Sequence, residues 1–310
     1  MTQTLTASPE TCAWGTLDAT RPPALTIESG DTVVIETVSG GPANLPDGDF
    51  HIPPELLDIH ARLEQVLPGH IVTGPVAIKD TSPGDVLEVR ILDVALRQDW
   101  GYNVIRPLAG TLPYDFDTAR NVIIPLDDTA MTAQLSWGLN LPLAPFFGVM
   151  AVAPPPNWGQ VSTIQPRAFG GNIDNKELVA GSILYLPVFN EGALFSCGDG
   201  HGAQGDGEVC ITAIETALRG TFQMIVRKDM DLTYPQAETP THYITMGMHP
   251  DLDTCVEMAL RDMITLLQAK VGISAEDAYM LCSLAGDLRV TQTVNGCKGV
   301  HMMMAKTLVD

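Results

Sequence analysis

The sequence has little positive charge. Lys and Arg number 17 against 37 Asp and Glu, which gives a formal net charge of −20 and a pI near 4.5. Nucleic-acid-binding proteins and proteins that bind anionic membrane surfaces both carry clusters of basic residues. The charge balance therefore predicts no nucleic-acid partner and no membrane partner, and it fits a small neutral substrate better than an anionic one.

Paired cysteines are also missing. The six cysteines stand at positions 12, 197, 210, 255, 282 and 297, with no CxxC spacing among them. In a chain of this length, this pattern indicates isolated thiols in a reducing compartment rather than a disulfide framework. The first residues, MTQTLTASPE, show neither the basic segment nor the apolar segment of a secretory signal. We expect a cytoplasmic protein.

Several nucleotide-binding and hydrolase motifs are absent, as are long hydrophobic runs. The chain contains no Walker loop and no GxSxG, which argues against the corresponding phosphate and serine-nucleophile sites. Residues 129–166 carry no charge, but prolines at 142, 145 and 154–156 interrupt them too often for a membrane-spanning helix. This uncharged stretch also holds four large aromatic residues. It therefore predicts the lining of a small pocket, a subunit contact or buried connections, and we expect a homo-oligomer.

The 28 glycines and 23 prolines favour many short strands and turns. Alternating apolar residues follow a glycine turn at 27–38, 81–94 and 178–189, and each of these segments is expected to form a strand. Further strands are expected at 71–79, 121–126, 209–214, 220–228, 242–248 and 288–294. Residues 98–120 have no clear period and are expected to form a loop.

Helices are expected at three places. Pro54 begins a short helix over 54–66. Near the C-terminus, Asp253 is the expected N-cap of one helix, and Ser274 begins a second helix that Gly286 ends. We therefore predict a β-rich α+β fold, with short strands in sandwich- or barrel-like sheets and a helix pair near the C-terminus. Residues 1–310 are expected to form a single domain, with a subdivision near 150–170 as the alternative.

Residues 169–216 are the chemically richest part of the chain. They contain GGNIDN at 170–175 and GDGHGAQGDGE at 198–208, in which carboxylates and a histidine alternate with glycines. Glycine allows left-handed backbone conformations and close approach to a ligand. The pattern predicts a loop that directs several polar groups at one point, as in a catalytic or metal site.

These segments, together with LYLPVFNEGALFS, resemble the acetamidase/formamidase family. GHIVTGPVAIKD, SPGDVLEV and SAEDAYMLCSLAGDLRVTQ followed by VN extend the resemblance from about residue 39 to residue 306. The resemblance implies hydrolysis of short carboxylic amides such as formamide and acetamide, with release of ammonia.

Amide hydrolysis needs a polarised carbonyl, an activated water and a proton donor for the leaving nitrogen. A divalent metal held by His and carboxylate ligands can supply the first two, and zinc suits such a mixed N/O set, with manganese as an alternative. We expect Glu208 to carry the proton and Asn172, Gln204 and Asp206 to orient ligands or substrate. The expected metal ligands are His70, Asp174, Asp199 and His201.

Two alternatives stay open from the sequence. Cys197, beside Ser196 and four residues before His201, is the candidate nucleophile of an acyl-enzyme amidase with Glu208 as base. The other alternative is a non-catalytic protein that binds a small metabolite. Neither the amide substrate nor the number of metal ions follows from the sequence.

Overall fold

Strands dominate the structure, a computed structural model that describes residues 2–310. Strand accounts for 38% of residues and helix for 16%, in agreement with the predicted β-rich α+β class. The strands are β1 Thr2–Leu5, β2 Cys12–Trp14, β3 Thr16–Leu17, β4 Leu25–Ile27, β5 Thr32–Glu36, β6 Ile71–Ile78, β7 Val86–Leu96, β8 Trp100–Ile105, β9 Arg120–Asp127, β10 Thr132–Gln134, β11 Asn140–Pro142, β12 Phe146–Ala151, β13 Val161–Ser162, β14 Gly170–Asn172, β15 Ile183–Pro187, β16 Phe195–His201, β17 Leu218–Arg227, β18 Gln236–Glu238, β19 His242–His249, β20 Asp287–Gln292 and β21 Lys298–Ala305. The helices are α1 Pro54–Arg62, α2 Leu252–Val271 and α3 Ala275–Ala285, with short 3₁₀ turns at Pro42–Asn44, Pro156–Trp158 and Lys306–Leu308.

The strands form one large sheet and several smaller ones. The nine-stranded sheet has the order β1-β5-β17-β7-β15-β18-β19-β21-β20. A second sheet has the order β14-β12-β16-β6-β2, with β4 paired to β6, and a four-stranded sheet has the order β11-β10-β9-β8. The main hydrophobic core lies between the first two sheets, and its large members include Phe147, Phe195 and Phe222.

The C-terminal helices cover one end of the large sheet. Helix α2 packs through Cys255, Ala259, Met263 and Leu267 onto β19 and β21, while Val256 and Leu260 are only partly buried. The predicted caps of α3 are confirmed, since Ser274 Oγ accepts a hydrogen bond from the backbone N–H of Asp277. No helix in residues 2–310 is long and apolar enough to cross a membrane.

Some predicted elements differ from the structure. The N-cap of α2 is Asp251 rather than Asp253, because the Asp251 carboxylate accepts the backbone N–H of Thr254 at 2.8 Å. Residues 209–214 form turns instead of a strand, and residues 98–120 include β8 rather than a continuous loop. The segment 195–201, expected within the glycine-rich loop region, is the buried strand β16.

Candidate functional site

The second sheet positions the histidine of the site at the end of β16. Strand β12 runs antiparallel to β16, with Phe146 opposite His201 and Phe147 opposite Gly200. The Phe146 ring meets the His201 ring edge-on at 5.0 Å, and His201 is completely buried. The imidazole is therefore held by apolar packing on one side while its polar atoms face the centre of the site.

A glycine makes room for the ligand set. The backbone N–H of Asp174, which follows β14, donates to the carbonyl oxygen of Gly148 at 3.2 Å. A Cβ at position 148 would lie 2.5 Å from Asp174 Oδ1, 2.6 Å from Asp199 Oδ2 and 2.8 Å from His201 Cε1. Such contacts are too close for any side chain, so the converging polar groups require glycine here.

Three of the four expected metal ligands converge on one point. One ligand atom each from Asp174, Asp199 and His201 lies within 4.8 Å of the other two. Nε2 of His201 is 3.4 Å from Asp199 Oδ2 and 3.9 Å from Asp174 Oδ1. The fourth, His70, is farther out, with its Nε2 3.7 Å from Asp199 Oδ1 and its side chain 30% exposed.

A second group shares the same histidine. Single ligand atoms of His201, Glu208 and Glu215 also lie within 4.8 Å of one another, and all three residues are buried. Glu215 Oε1 is 3.4 Å from His201 Nε2 and accepts the backbone N–H of Ala213 at 3.0 Å. Isolated β-bridges from Glu215 to Tyr102 and to His201 connect the four-stranded sheet to the end of β16.

Three acidic residues of the site have strained backbones. Asp174, Asp199 and Glu208 have φ values of 51°, 56° and 45°. These values lie in the left-handed region of backbone conformation, which residues other than glycine rarely adopt. Such conformations cost on the order of 1–3 kcal/mol each and cluster at functional sites. The fold thus accepts strain at the positions whose carboxylates converge.

Gln204 fixes the orientation of the histidine ring. The Nδ1–H of His201 donates to Gln204 Oε1 at 2.9 Å, and Gln204 Nε2 donates to the carbonyl oxygen of Asp174 at 2.8 Å. The ring tautomer is thereby set, since a proton on Nδ1 leaves the lone pair on Nε2. That lone pair points at carboxylates, an arrangement that is favourable only when a proton or a cation lies between them.

Asn172 and Asn295 support the Asp174 segment. Asn295 Nδ2 donates to Asp174 Oδ2 at 2.5 Å, and Asn172 Nδ2 donates to the carbonyl oxygen of Ile164 at 3.2 Å. The Oδ1 atom of Asn172 is buried and has no hydrogen-bond partner, and the residue lines the cavity described below. It is thus available to a ligand.

The electrostatics of the cluster are dominated by burial and by like charges. Burial raises the pKa of Glu215 to about 7. Burial and the nearby Asp174 carboxylate hold the pKa of Glu208 well above its usual range, and burial also raises the pKa of Asp174. Burial alone would raise the pKa of Asp199, but the charges of His70 and His201 outweigh it and lower that pKa.

The histidine responds in the opposite sense. Burial would lower the pKa of His201, but the carboxylates of Glu215 and Asp199 raise it well above its ordinary value. The cluster thus favours a positive charge at its centre.

The site lies at the floor of a cavity of about 370 Å³. Asp199, Glu208 and Glu215 line its buried end together with Asn172. His70 and Tyr102 form part of its walls. The cavity gives a small solute access to the carboxylates and, past them, to His201.

Two candidates from the sequence lie elsewhere. The Asp206 carboxylate is 3.1 Å from Lys176 Nζ and is about one third exposed, so it does not orient the ligands of the site. Cys197 is fully buried in the hydrophobic core, where burial raises the pKa of its thiol, and it does not line the cavity. The geometry gives no support to a Cys197 nucleophile.

Gly148, Asn295 and Tyr102 were not recognised from the sequence as parts of the site. Gly148 lies inside the uncharged stretch, where nothing marks it as adjacent to carboxylates. Asn295 belongs to the VN pair of the last resembling segment, which is the only signal that could have identified it.

A family model described as the Acetamidase/Formamidase family matches residues 18–160 and 157–305 of the chain. Among characterised proteins, the acetamidase of Mycolicibacterium smegmatis is 26% identical over 200 residues, covering 46% of this chain and 49% of the relative. The formamidase of Methylophilus methylotrophus is 28% identical over 200 residues, covering 48% and 49%. The chain thus spans about half the length of these two relatives.

Solved structures match over nearly the whole chain. The acetamidase from Bacillus halodurans has a TM-score of 0.85 and 31% identity, covering 98% of both chains. The acetamidase from Yersinia enterocolitica has a TM-score of 0.87 and 29% identity, covering 100% of this chain and 93% of the other. The fold described above is therefore shared with these two proteins.

Proposed function

Because the chain belongs to the acetamidase/formamidase family, we propose that it hydrolyses the C–N bond of short carboxylic amides, formamide and acetamide among them, to a carboxylate and ammonia. The observation that carries this proposal is the pair of overlapping buried groups that share His201 at the floor of the cavity. A protein that only binds a metabolite has no need of several carboxylates with raised pKa values around one histidine.

The proposed site holds one divalent cation, and zinc is the ion we propose. Asp174, Asp199 and His201 would be its ligands, with His70 as the fourth. Asp174 Oδ1 and His201 Nε2 are buried with no hydrogen-bond partner, which is the state expected of atoms that bind a cation. A mixed set of imidazole and carboxylate ligands suits zinc.

When bound, the cation would polarise the amide carbonyl and lower the pKa of a water molecule. Glu208 would take a proton from the attacking water as the new C–O bond forms, and would return it to the nitrogen as the C–N bond breaks. Its carboxyl suits this role, since Oε2 is buried without a partner and its raised pKa makes the carboxylate a stronger base than an exposed glutamate. Gln204 would hold the His201 ring, and Asn172 Oδ1 would accept a hydrogen bond from the amide N–H.

We also propose that the protein works in the cytoplasm as a homo-oligomer. All six cysteines are free, in keeping with a reducing compartment. Trp137 and Trp158 are 55% and 45% exposed within the uncharged stretch, and exposed tryptophans of this kind are typical of subunit contacts. Light scattering on the purified protein measures the oligomeric state directly, and a monomer would contradict this part of the proposal.

The test of the proposed function is ammonia release from formamide, acetamide and propionamide. Protein loaded with zinc, protein treated with chelator and protein reloaded after chelation are compared, with metal content measured in each. We expect activity in the first and third samples only. The variant Asp206→Asn serves as a control, because this acid pairs with Lys176 and does not line the cavity, so its loss should leave activity near that of the wild type. Full activity with no bound metal would refute the metal role, and no ammonia from any loaded sample would refute the hydrolase.

A further inference from the structure

The cavity is larger than a two-carbon amide needs. Its volume of about 370 Å³ falls within the roughly 300–1,000 Å³ that small-molecule pockets occupy. At about 30 Å³ per water molecule, it has room for about a dozen waters. Formamide and acetamide would leave most of this space filled with solvent, so the cavity can accept an amide with a longer acyl part.

The two ends of the cavity differ in chemistry. The buried end carries the carboxylates of Asp199, Glu208 and Glu215, whereas the open end is lined by exposed or half-buried residues with hydrogen-bond donors. These are Arg106 and the amide side chains of Asn44 and Gln65. Of the residues in the range 2–310 that line the cavity, Arg106 is the only one with a lysine or arginine side chain.

The guanidinium of Arg106 is available to a ligand. It makes no hydrogen bond or ion pair with any other residue in the range 2–310. By contrast, Arg97 and Arg227 are each held between two carboxylates. A free guanidinium offers a planar pair of donors whose geometry matches a carboxylate.

Tyr102 connects this charge to the interior of the site. Its backbone N–H donates to the carbonyl oxygen of Glu215 at 3.0 Å, so β8 runs from the buried carboxylates outward to Arg106. Burial first and then the Glu215 charge raise the pKa of the Tyr102 phenol, while the positive charge of Arg106 acts in the opposite direction. The field of Arg106 therefore reaches into the cavity.

We propose that Arg106 binds a carboxylate at the far end of the substrate, so that the preferred substrates are monoamides of short dicarboxylic acids. This inference rests on the proposed amide hydrolysis. It departs from the neutral substrate that the net charge predicts, because Arg106 supplies a local positive charge at the cavity. Arg106 attracts the carboxylate end at the opening of the cavity, and the amide end is thereby directed toward His201. In the reaction, water adds to the amide carbon and the C–N bond breaks, and the products are the dicarboxylate and ammonia.

The test compares succinamate with butyramide, an amide of similar length that lacks the carboxylate. The zinc-loaded protein is assayed as wild type, Arg106→Gln, Arg106→Lys and Arg219→Gln. Arg219 is exposed on β17 and does not line the cavity, so its variant removes the same charge at a remote position. The measured quantity is the ratio of kcat/KM on succinamate to kcat/KM on butyramide.

We expect the wild type to favour succinamate by at least roughly tenfold. Arg106→Gln should lower the ratio by roughly 10- to 100-fold, the effect of losing one charged hydrogen-bond partner, and mostly through KM. Arg106→Lys should keep part of the preference and Arg219→Gln all of it. Equal or better use of butyramide by the wild type, or an unchanged ratio in Arg106→Gln, would overturn this inference while leaving amide hydrolysis in place. If no amide is hydrolysed at all, the proposed function fails and this inference with it.

Discussion

The protein buries carboxylates in two regions, which differ in how many hydrogen-bond partners the carboxylates have. In the nine-stranded sheet, Glu88 is 1% exposed and both of its oxygens are occupied. Oε1 accepts a hydrogen bond from Arg90 Nε at 2.6 Å, and Oε2 accepts one from Arg227 Nη1 at 2.6 Å. This carboxylate is fully paired, and the arginines that pair with it extend to solvent.

At the cavity floor, the acids instead face one another around one histidine. Asp174 Oδ1, His201 Nε2 and Glu208 Oε2 are all buried without a hydrogen-bond partner. A buried polar atom left unsatisfied costs about 1–3 kcal/mol, so a fold retains several of them together only where something else completes their bonding. In this chain, therefore, the presence or absence of hydrogen-bond partners, rather than burial, distinguishes a structural acid from a functional one.

The largest effect is expected when the histidine shared by both groups is removed. His201→Ala should leave less than one tenth of the wild-type zinc content and lower kcat by about 10⁴-fold or more, because carbonyl polarisation and water activation are lost together. Metal analysis and ammonia release measure the two quantities on the same sample. A variant that keeps its metal would show that His201 is not a ligand.

Glu208→Gln separates proton transfer from metal binding. The amide keeps the size of the side chain but cannot accept a proton, so kcat should fall by roughly 10²–10⁴-fold with little change in KM. Metal content should stay near that of the wild type. Loss of the metal would instead show that Glu208 is a ligand. Normal turnover would show that another acid transfers the proton, with Glu215 the next candidate.

The unpaired region should also make the metal-free protein pH-sensitive. Because the pKa of Glu215 rises to about 7 on folding, from an ordinary value of 4.5, the folded state holds a proton that the unfolded chain has lost between these values. Its contribution to stability is therefore complete below pH 4.5 and is lost as the pH rises through 7, an effect on the order of 3 kcal/mol. Glu215→Gln should not show this loss.

Denaturant unfolding of the metal-free wild type and of metal-free Glu215→Gln at pH 5 and pH 8 measures the difference. As the pH rises from 5 to 8, the free energy of unfolding of Glu215→Gln should increase relative to that of the wild type. Parallel changes in the two proteins would show that Glu215 ionises normally in the folded state.

In the nine-stranded sheet, where Glu88 is fully paired, a Glu-to-Gln substitution should lower the stability of the protein instead of raising it. Glu88→Gln keeps one acceptor oxygen and replaces the other by an NH₂ donor that faces an arginine, so one hydrogen bond is weakened and one is lost. We expect a loss of about 1–3 kcal/mol of stability, since Arg90 and Arg227 can turn to solvent. Turnover per folded molecule should match the wild type. The control is Glu28→Gln, which removes an exposed pair with Lys79 and should change stability much less than Glu88→Gln does. A stabilised Glu88→Gln would contradict the distinction between the regions.

The smallest effect is expected for the buried thiol. Cys197→Ala should keep the rate within a few-fold of the wild type, because the thiol packs in the core and does not reach the cavity. An acyl adduct on Cys197, detected by mass spectrometry after incubation with substrate, would refute this and support the acyl-enzyme mechanism.

Elements with conventional patterns were predictable from the sequence. Ser274 and Gly286 bound α3 as expected, and the alternating segments at 27–38, 81–94 and 178–189 each contain a strand. These signals are local, because a cap or an alternation lies within a few residues of the element that it defines. The single-domain organisation of residues 1–310 stays a prediction.

Strand β16 could not be recognised in this way. Its sequence, FSCGDGH, is rich in residues that strands avoid, yet all seven of its residues are buried. The reason is tertiary: a Cβ at Gly198 would lie 2.3 Å from the carbonyl oxygen of Ile71, and one at Gly200 would lie 2.5 Å from that of Thr216. Residues 209–214, where a strand was expected, form turns in which Ile211 has a φ of 88°, a value incompatible with an extended strand.

Of the site itself, the residue types and the dense segment were predictable, but their arrangement was not. The pattern identified the carboxylates and histidine that converge at His201. The place of Gly148 and Asn295 depends on which strands become neighbours, and no local pattern contains that information.

The site draws its groups from distant parts of the chain. Asp174 follows β14, Tyr102 lies on β8, and Asn295 follows β20, so three different sheets must be in place before the donors meet. Any ion held there binds only the finished fold, and by mass action it shifts the folding equilibrium toward that fold. At a free ion concentration 1,000 times the Kd, this linkage amounts to about 4 kcal/mol. The supply of the ion would thus govern the fraction of the protein that is folded as well as its rate of catalysis.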